Sequence, residues 1–112
     1  MDIPPKSRTT ILLGLLALPF VTTLALADAI DGDWCNIAGR RMTIHGSEIV
    51  TPGGKQIRGD YSRHFFSYII PEGEAGAGAT TSITLLGEHL AHARVGNDPT
   101  IVEWRRCQPG IS

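Results

Sequence analysis

Cysteine is scarce in this 112-residue chain: only Cys35 and Cys107 occur. Two thiols so far apart, with no C-x-x-C pair, give no framework for a zinc site, and they allow one intramolecular bridge at most. Charge of one sign is equally scarce. Ten Lys and Arg stand against eleven Asp and Glu, with no basic run and no basic stripe interleaved with aromatics, so nucleic acid is not implied as a partner. No stretch of helical period is long enough to form an amphipathic helix on a membrane surface. No unbroken apolar run reaches the ~20 residues that a spanning helix needs. The longest, "ILLGLLALPFV" over residues 11–21, is shorter and is interrupted by Pro19.

That run fits an export signal better. Lys6 and Arg8 precede it, and Ala25-Leu26-Ala27 supplies small residues at a cleavage site before Asp28. A second frame, Ala27-Asp28-Ala29, would cut two residues later. The chain thus divides into a signal peptide, residues 1–27, and a domain, residues 28–112; the competing reading is an uncleaved signal anchor on an envelope protein of structural role. With no twin arginine before the apolar run and no cysteine after the cut, the expected route is general secretion and the expected place periplasmic or extracellular. Neither route nor place suggests stable membrane insertion after cleavage.

Cleavage at Asp28 leaves 85 residues, a single small domain that buries only a little over ~60% of its chain surface on folding. A covalent staple is useful at that size, and export implies an oxidising compartment. The sequence therefore predicts a Cys35–Cys107 disulfide. Closing a loop of about 70 residues restricts the unfolded chain by roughly 4.4 kcal/mol in the entropy model.

Periodicity after residue 28 is of strand type. In "RRMTIH" Met42 and Ile44 share one face, with Arg41 and Thr43 on the other. Further strands are expected in "DWCNIA", "EIVT", "QIRGDY", "FFSYII", "TTSITLL", "HLAHARV" and "IVEWRRC", separated by turn residues such as "PGGK" and "GNDP". About eight short strands joined by tight turns predict an all-β fold, an antiparallel meander closed into a barrel or packed as a small sandwich. The up-and-down barrel agrees better with the cysteines. Closure brings the first and last strands together, as a Cys35–Cys107 bridge requires, because bridged Cα atoms lie within ~7 Å.

Three motifs invite a chemical reading. "GDYSRHFF" alternates Asp60, Ser62 and His64, a hydrolase-like set. On one strand, however, side chains two residues apart stand ~6.6 Å or more from each other, too far for a nucleophile–base relay. Ile57 and Tyr61 also want the opposite phase from Phe66, Tyr68 and Ile70, which a turn around Ser62-Arg63 resolves; the three polar residues then become corner residues. The four histidines do not converge either: His89 and His92 take opposite faces of a strand, and His45 and His64 fall at turns. "GEAGAG", residues 73–78, leads into a strand and contains no lysine, unlike a phosphate loop. It reads as a hairpin loop, in which Glu72 and Glu74 could meet a basic partner surface. No catalytic residue, metal site or cofactor is expected.

The last constellation lies at the domain ends. "GDW", residues 32–34, opens the first strand, and "EWRRC", residues 103–107, closes the last. This resembles the end arrangement of the calycin superfamily, the lipocalin-like barrels, in which a G-x-W tryptophan packs at the barrel floor under an arginine from the last strand. The resemblance implies that Gly32 and Trp34 match the G-x-W and that Arg105 or Arg106 crosses the indole. Arg106 is favoured, since it shares a strand face with Trp104. In scale the chain is closer to minimal bacterial periplasmic barrels, some of which inhibit lysozymes or proteases. The expected function is non-enzymatic binding by a monomer. One version takes a protein partner through the end loops, as a hydrolase inhibitor would; the other carries a small apolar ligand in the barrel. An open apolar cavity would favour the ligand, and a filled core with an exposed apolar patch the partner.

Overall fold

The computed structural model describes residues 29–108, and the signal peptide expected over residues 1–27 lies outside them. Nine strands form one antiparallel sheet: β1 (Gly32–Cys35), β2 (Arg41–His45), β3 (Glu48–Val50), β4 (Gln56–Arg58), β5 (Asp60–Ser62), β6 (Phe65–Ile69), β7 (Thr80–Gly87), β8 (Leu90–Val95) and β9 (Val102–Arg106). Their order is β4-β3-β2-β1-β9-β8-β7-β6-β5. Every neighbour in this order is also a neighbour in the chain except β1 and β9. The sheet is therefore a meander whose first and last strands meet, with Trp34 opposite Arg106 and Cys35 opposite Arg105. The Cys35–Cys107 disulfide, with Cα atoms 5.1 Å apart, fastens that junction.

The strand count differs from the eight expected, and the difference lies at one residue. The single strand foreseen in "QIRGDY" is two, β4 and β5, parted only by Gly59. β4 pairs with β3, placing Ile57 opposite Ile49, and β5 pairs with β6, placing Tyr61 opposite Phe66. A side chain at Gly59 would bring its Cβ to 2.3 Å from the Ser67 carbonyl oxygen and 2.7 Å from the Phe66 ring. β4 and β5 part at this glycine, where only a bare backbone can approach β6 so closely. The outermost strands of the sheet are thus consecutive in the chain, and the result is a nearly closed barrel.

Side chains join the two halves of the sheet on both sides of Gly59. On one side of Gly59, Thr51 Oγ1 donates to Glu74 Oε2 (2.6 Å) and Lys55 Nζ donates to the Glu72 carbonyl (2.6 Å), joining the β3–β4 turn to the β6–β7 loop. On the other, Asp31 accepts hydrogen bonds from the Gly46 amide (2.8 Å) and from the Tyr61 hydroxyl, joining the β2–β3 turn to β5.

Strict alternation fills the interior. Trp34, Met42, Ile44, Ile49, Phe66, Tyr68, Ile83, Ala91, Ala93 and Trp104 point inward, and the residues between them on each strand point outward. Registers place large against small: Ala91 lies opposite Trp104, and Ala93 opposite both Val102 and Ile83.

Candidate functional site

The barrel has a floor and a mouth, built from opposite ends of the same strands. At the floor, Trp34 is completely buried (0% exposed), and the Arg106 guanidinium carbon sits 4.2 Å from its ring centroid. The cationic plane over the indole face is worth about 0.5–2 kcal/mol. Arg106 also donates from Nε to the Glu88 carbonyl (2.8 Å), from Nη2 to the Ala29 carbonyl (2.6 Å) and from Nη1 to the Asp31 carbonyl. Burial lowers its pKa from the ordinary guanidinium value, and the charges of Asp31 and Glu88 oppose that shift. Gly32 makes room for this clamp: its φ is +124°, and a Cβ would stand 2.6 Å from Arg106 Nη1. Arg105, one residue earlier, points outward and pairs with Glu103 at 2.7 Å.

A short N-terminal segment completes the floor, and sequence reasoning missed it. Ile30 is fully buried. Its amide donates to the Arg63 carbonyl (2.7 Å), and its carbonyl accepts from Trp34 Nε1 (2.9 Å). The available signal was one apolar residue standing two places before Gly32, too little to distinguish a plug from a tail.

The hydrolase-like residues lie on the β5–β6 hairpin at this end. Asp60, Ser62 and His64 are all exposed, and no hydrogen bond joins any two of them. Ser62 Oγ donates to the Phe65 carbonyl within its own turn (3.4 Å). His45 is exposed at the end of β2, His64 and His89 sit in turns, and His92 is half-buried on the outer face of β8. Among the described residues no three His, Cys, Asp or Glu side chains come together as a metal site would require.

The mouth is different. A cleft of about 300 Å³ opens there, its apolar wall formed by Tyr68, Ile70, Ala93, Val95, Val102 and Trp104. The hollow has a local cause. β8 turns Ala91, Ala93 and Val95 inward, three small side chains on one wall where the other strands carry Trp, Tyr and Ile. Burial raises the pKa of the Tyr68 hydroxyl, which a hydrogen bond with Thr81 partly offsets.

Polar residues rim this cleft, among them Asn36, Arg40, Glu74, Asp98 and Thr100. Asn36 Oδ1 accepts from the Ala38 and Arg40 amides (both 3.0 Å), which shapes the β1–β2 turn. Asp98 Oδ1 accepts from the Thr100 amide (2.9 Å), and hydrogen bonding to Thr100 lowers its carboxyl pKa. Glu74 is turned back to Thr51, whereas Glu72 is exposed. The loop carrying both is held by its own turns: Gly78 N donates to the Ile70 carbonyl (2.9 Å) and Ala77 N to that of Glu74 (3.1 Å). Ile37, at the tip of the β1–β2 turn, is 103% exposed.

Fold and site together define a class: a small, disulfide-fastened, nearly closed antiparallel β-barrel with an arginine-capped floor and an open apolar mouth. Compared with family models, curated proteins and solved structures, the chain matches none.

Proposed function

We propose that this is an exported, non-enzymatic binding barrel of calycin-like design that takes a compact apolar group into its mouth. The apolar cleft of about 300 Å³ beside β8 carries this reading; its volume lies at the lower end of the range of ligand pockets. The Gly32–Trp34–Arg106 floor supports the calycin resemblance. Export is supported by the apolar leader and by the disulfide. A cut after Ala27 would retain Ala29, whose carbonyl binds Arg106, whereas a cut after Ala29 would remove it; the mature chain is therefore expected to begin at Asp28. The test is a titration of the isotope-labelled protein, recovered after expression of the full chain, with a neutral naphthalene amide. Saturable shifts at the Ala93 and Val95 amides, lost in Ala93→Leu, support ligand uptake. Shifts elsewhere, or none, overturn it.

A second reading rests on a separate observation. Ile37 projects from the β1–β2 turn with its whole side chain in water, and Asn36, its neighbour, lines the cleft. A protein partner that covers this tip and the adjoining loops would gain apolar burial, as a hydrolase target of an inhibitor would. Retention of one envelope protein by the native chain, abolished in Ile37→Asp, would favour the partner over the small ligand.

A further inference from the structure

Among the charged side chains that line the mouth, Arg40 is unlike the rest. Glu74 accepts from Thr51, and Asp98 accepts from Thr100. The Arg40 backbone is fixed in the β1–β2 turn: its amide donates to Asn36 Oδ1, and its carbonyl accepts from Asn36 N at 3.1 Å. Its guanidinium has no hydrogen bond or ion pair among the described residues, is exposed, and borders the apolar wall. At the floor, by contrast, Arg106 uses all three of its guanidinium nitrogens.

From this we infer that the mouth selects a compact aromatic or branched apolar ligand that bears a carboxylate or similar anion, the apolar part lying against Tyr68, Val95 and Trp104 and the anion on Arg40. The inference rests on the proposed uptake of an apolar group by this cleft and adds the chemistry of its polar end. A guanidinium offers a planar fork of donors that matches a carboxylate, and no protein acceptor competes for it here. Cleft acceptors are already engaged: Asn36 Oδ1 holds two amides, and the carboxylates hold Thr51 and Thr100. Of the three charged side chains on the rim, Arg40 is the one with no hydrogen bond or ion pair among the described residues. A cationic ligand would meet like charge at Arg40 and opposite charge at Glu74 and Asp98, and an ammonium probe measures which prevails.

Three probes of one skeleton separate the possibilities: 2-naphthoate, 2-naphthamide and 2-naphthylmethylammonium. Each is titrated into the protein recovered after expression of the full chain, with the Ala93 and Val95 amides reporting occupancy. The naphthoate should bind about three- to tenfold more tightly than the amide, the range of one charge-assisted contact in an open site. The advantage should shrink as ionic strength rises. In Arg40→Gln the ratio of naphthoate to amide affinity should fall to about one, and Arg40→Lys should restore part of it. Equal affinities for naphthoate and amide, or a preference for the ammonium, would overturn the anion inference and leave the apolar cleft standing. Failure of all three to move the mouth amides would overturn the cleft reading itself.

Discussion

At the floor of the barrel the guanidinium of Arg106 makes three hydrogen bonds and covers an indole; at the mouth the guanidinium of Arg40 makes none among the described residues. The strands between them are the same, so the contrast comes from what each end places inside. At the floor Trp34, Ile30 and Phe66 fill the space, and Arg106 supplies donors to three backbone carbonyls around them. At the mouth β8 contributes alanine and valine, the space stays open, and Asn36 and Asp98 are bonded within their own turns while Glu74 reaches across to Thr51. Stability is concentrated at one end and adaptable surface at the other. A small domain with one core has little alternative, because every side chain withdrawn from the interior to make a cleft weakens that core.

Six substitutions and a pH series would break or sharpen this contrast. Trp34→Ala removes the largest floor side chain and should destabilise by about 3–5 kcal/mol, leaving the domain marginal in a urea titration. A loss below about 1 kcal/mol would mean that the floor does not hold the barrel. Arg106→Ala should cost about 1–3 kcal/mol, because the ring contact goes and three carbonyls lose a charged donor. Arg105→Ala and Arg40→Ala, which remove only exposed groups, should each stay within about 0.5 kcal/mol of the parent. Equal costs for all three would erase the distinction between the ends.

Filling the mouth should be nearly neutral. Ala93→Leu is expected to shift the unfolding free energy by no more than about 1 kcal/mol, since the cleft accepts the added carbons that a packed core would resist. A cost well above that would show that the cleft closes in solution. The smallest effect concerns alkaline pH. The hydrogen bond to Asp31, followed by burial, raises the pKa of Tyr61, and burial raises that of Tyr68. Both folded-state values lie above the unfolded ones, so the stability they contribute is complete below a pH of about 10 and is lost as pH rises through the folded values. Urea midpoints measured from about pH 8 to about 11 should fall at the upper end, and less steeply in Tyr61→Phe. A pH-independent midpoint would remove the Tyr61–Asp31 link from the floor seam.

The sequence was most informative where a feature depended on local pattern. Met42 and Ile44 alternate with Arg41 and Thr43 as a strand with one buried face must, and that alternation survives unchanged in β2. The two cysteines, placed at the first and last strands, pointed to the junction of β1 and β9. What was illegible depended on packing between distant segments. Gly59 reads as an ordinary glycine in a strand; only Phe66 and Ser67, across the sheet, make a side chain there impossible. Glu74 sits in a glycine-rich loop like any solvent-facing carboxylate, and its bond to Thr51, 23 residues earlier, leaves no trace in the pattern. The cleft draws its lining from strands and turns throughout the chain, so no window of sequence contains it. Even its one local sign, the inward alanines of β8, depends on knowing which face is inward.

The break between β4 and β5 at Gly59 has a consequence for how the barrel comes together. It divides the sheet into two wings, β1 to β4 and β5 to β9, within each of which every strand pairs with its neighbour in the chain. Each wing is therefore a run of short-range hairpins, quick to form and cheap in loop entropy. Only the pairing of β1 with β9 joins residues from opposite ends of the domain, and it bears nearly all of the entropic cost of distance. Assembly thus resembles shutting a book whose spine is Gly59: the pages form separately, and the slow event is bringing the two covers into register.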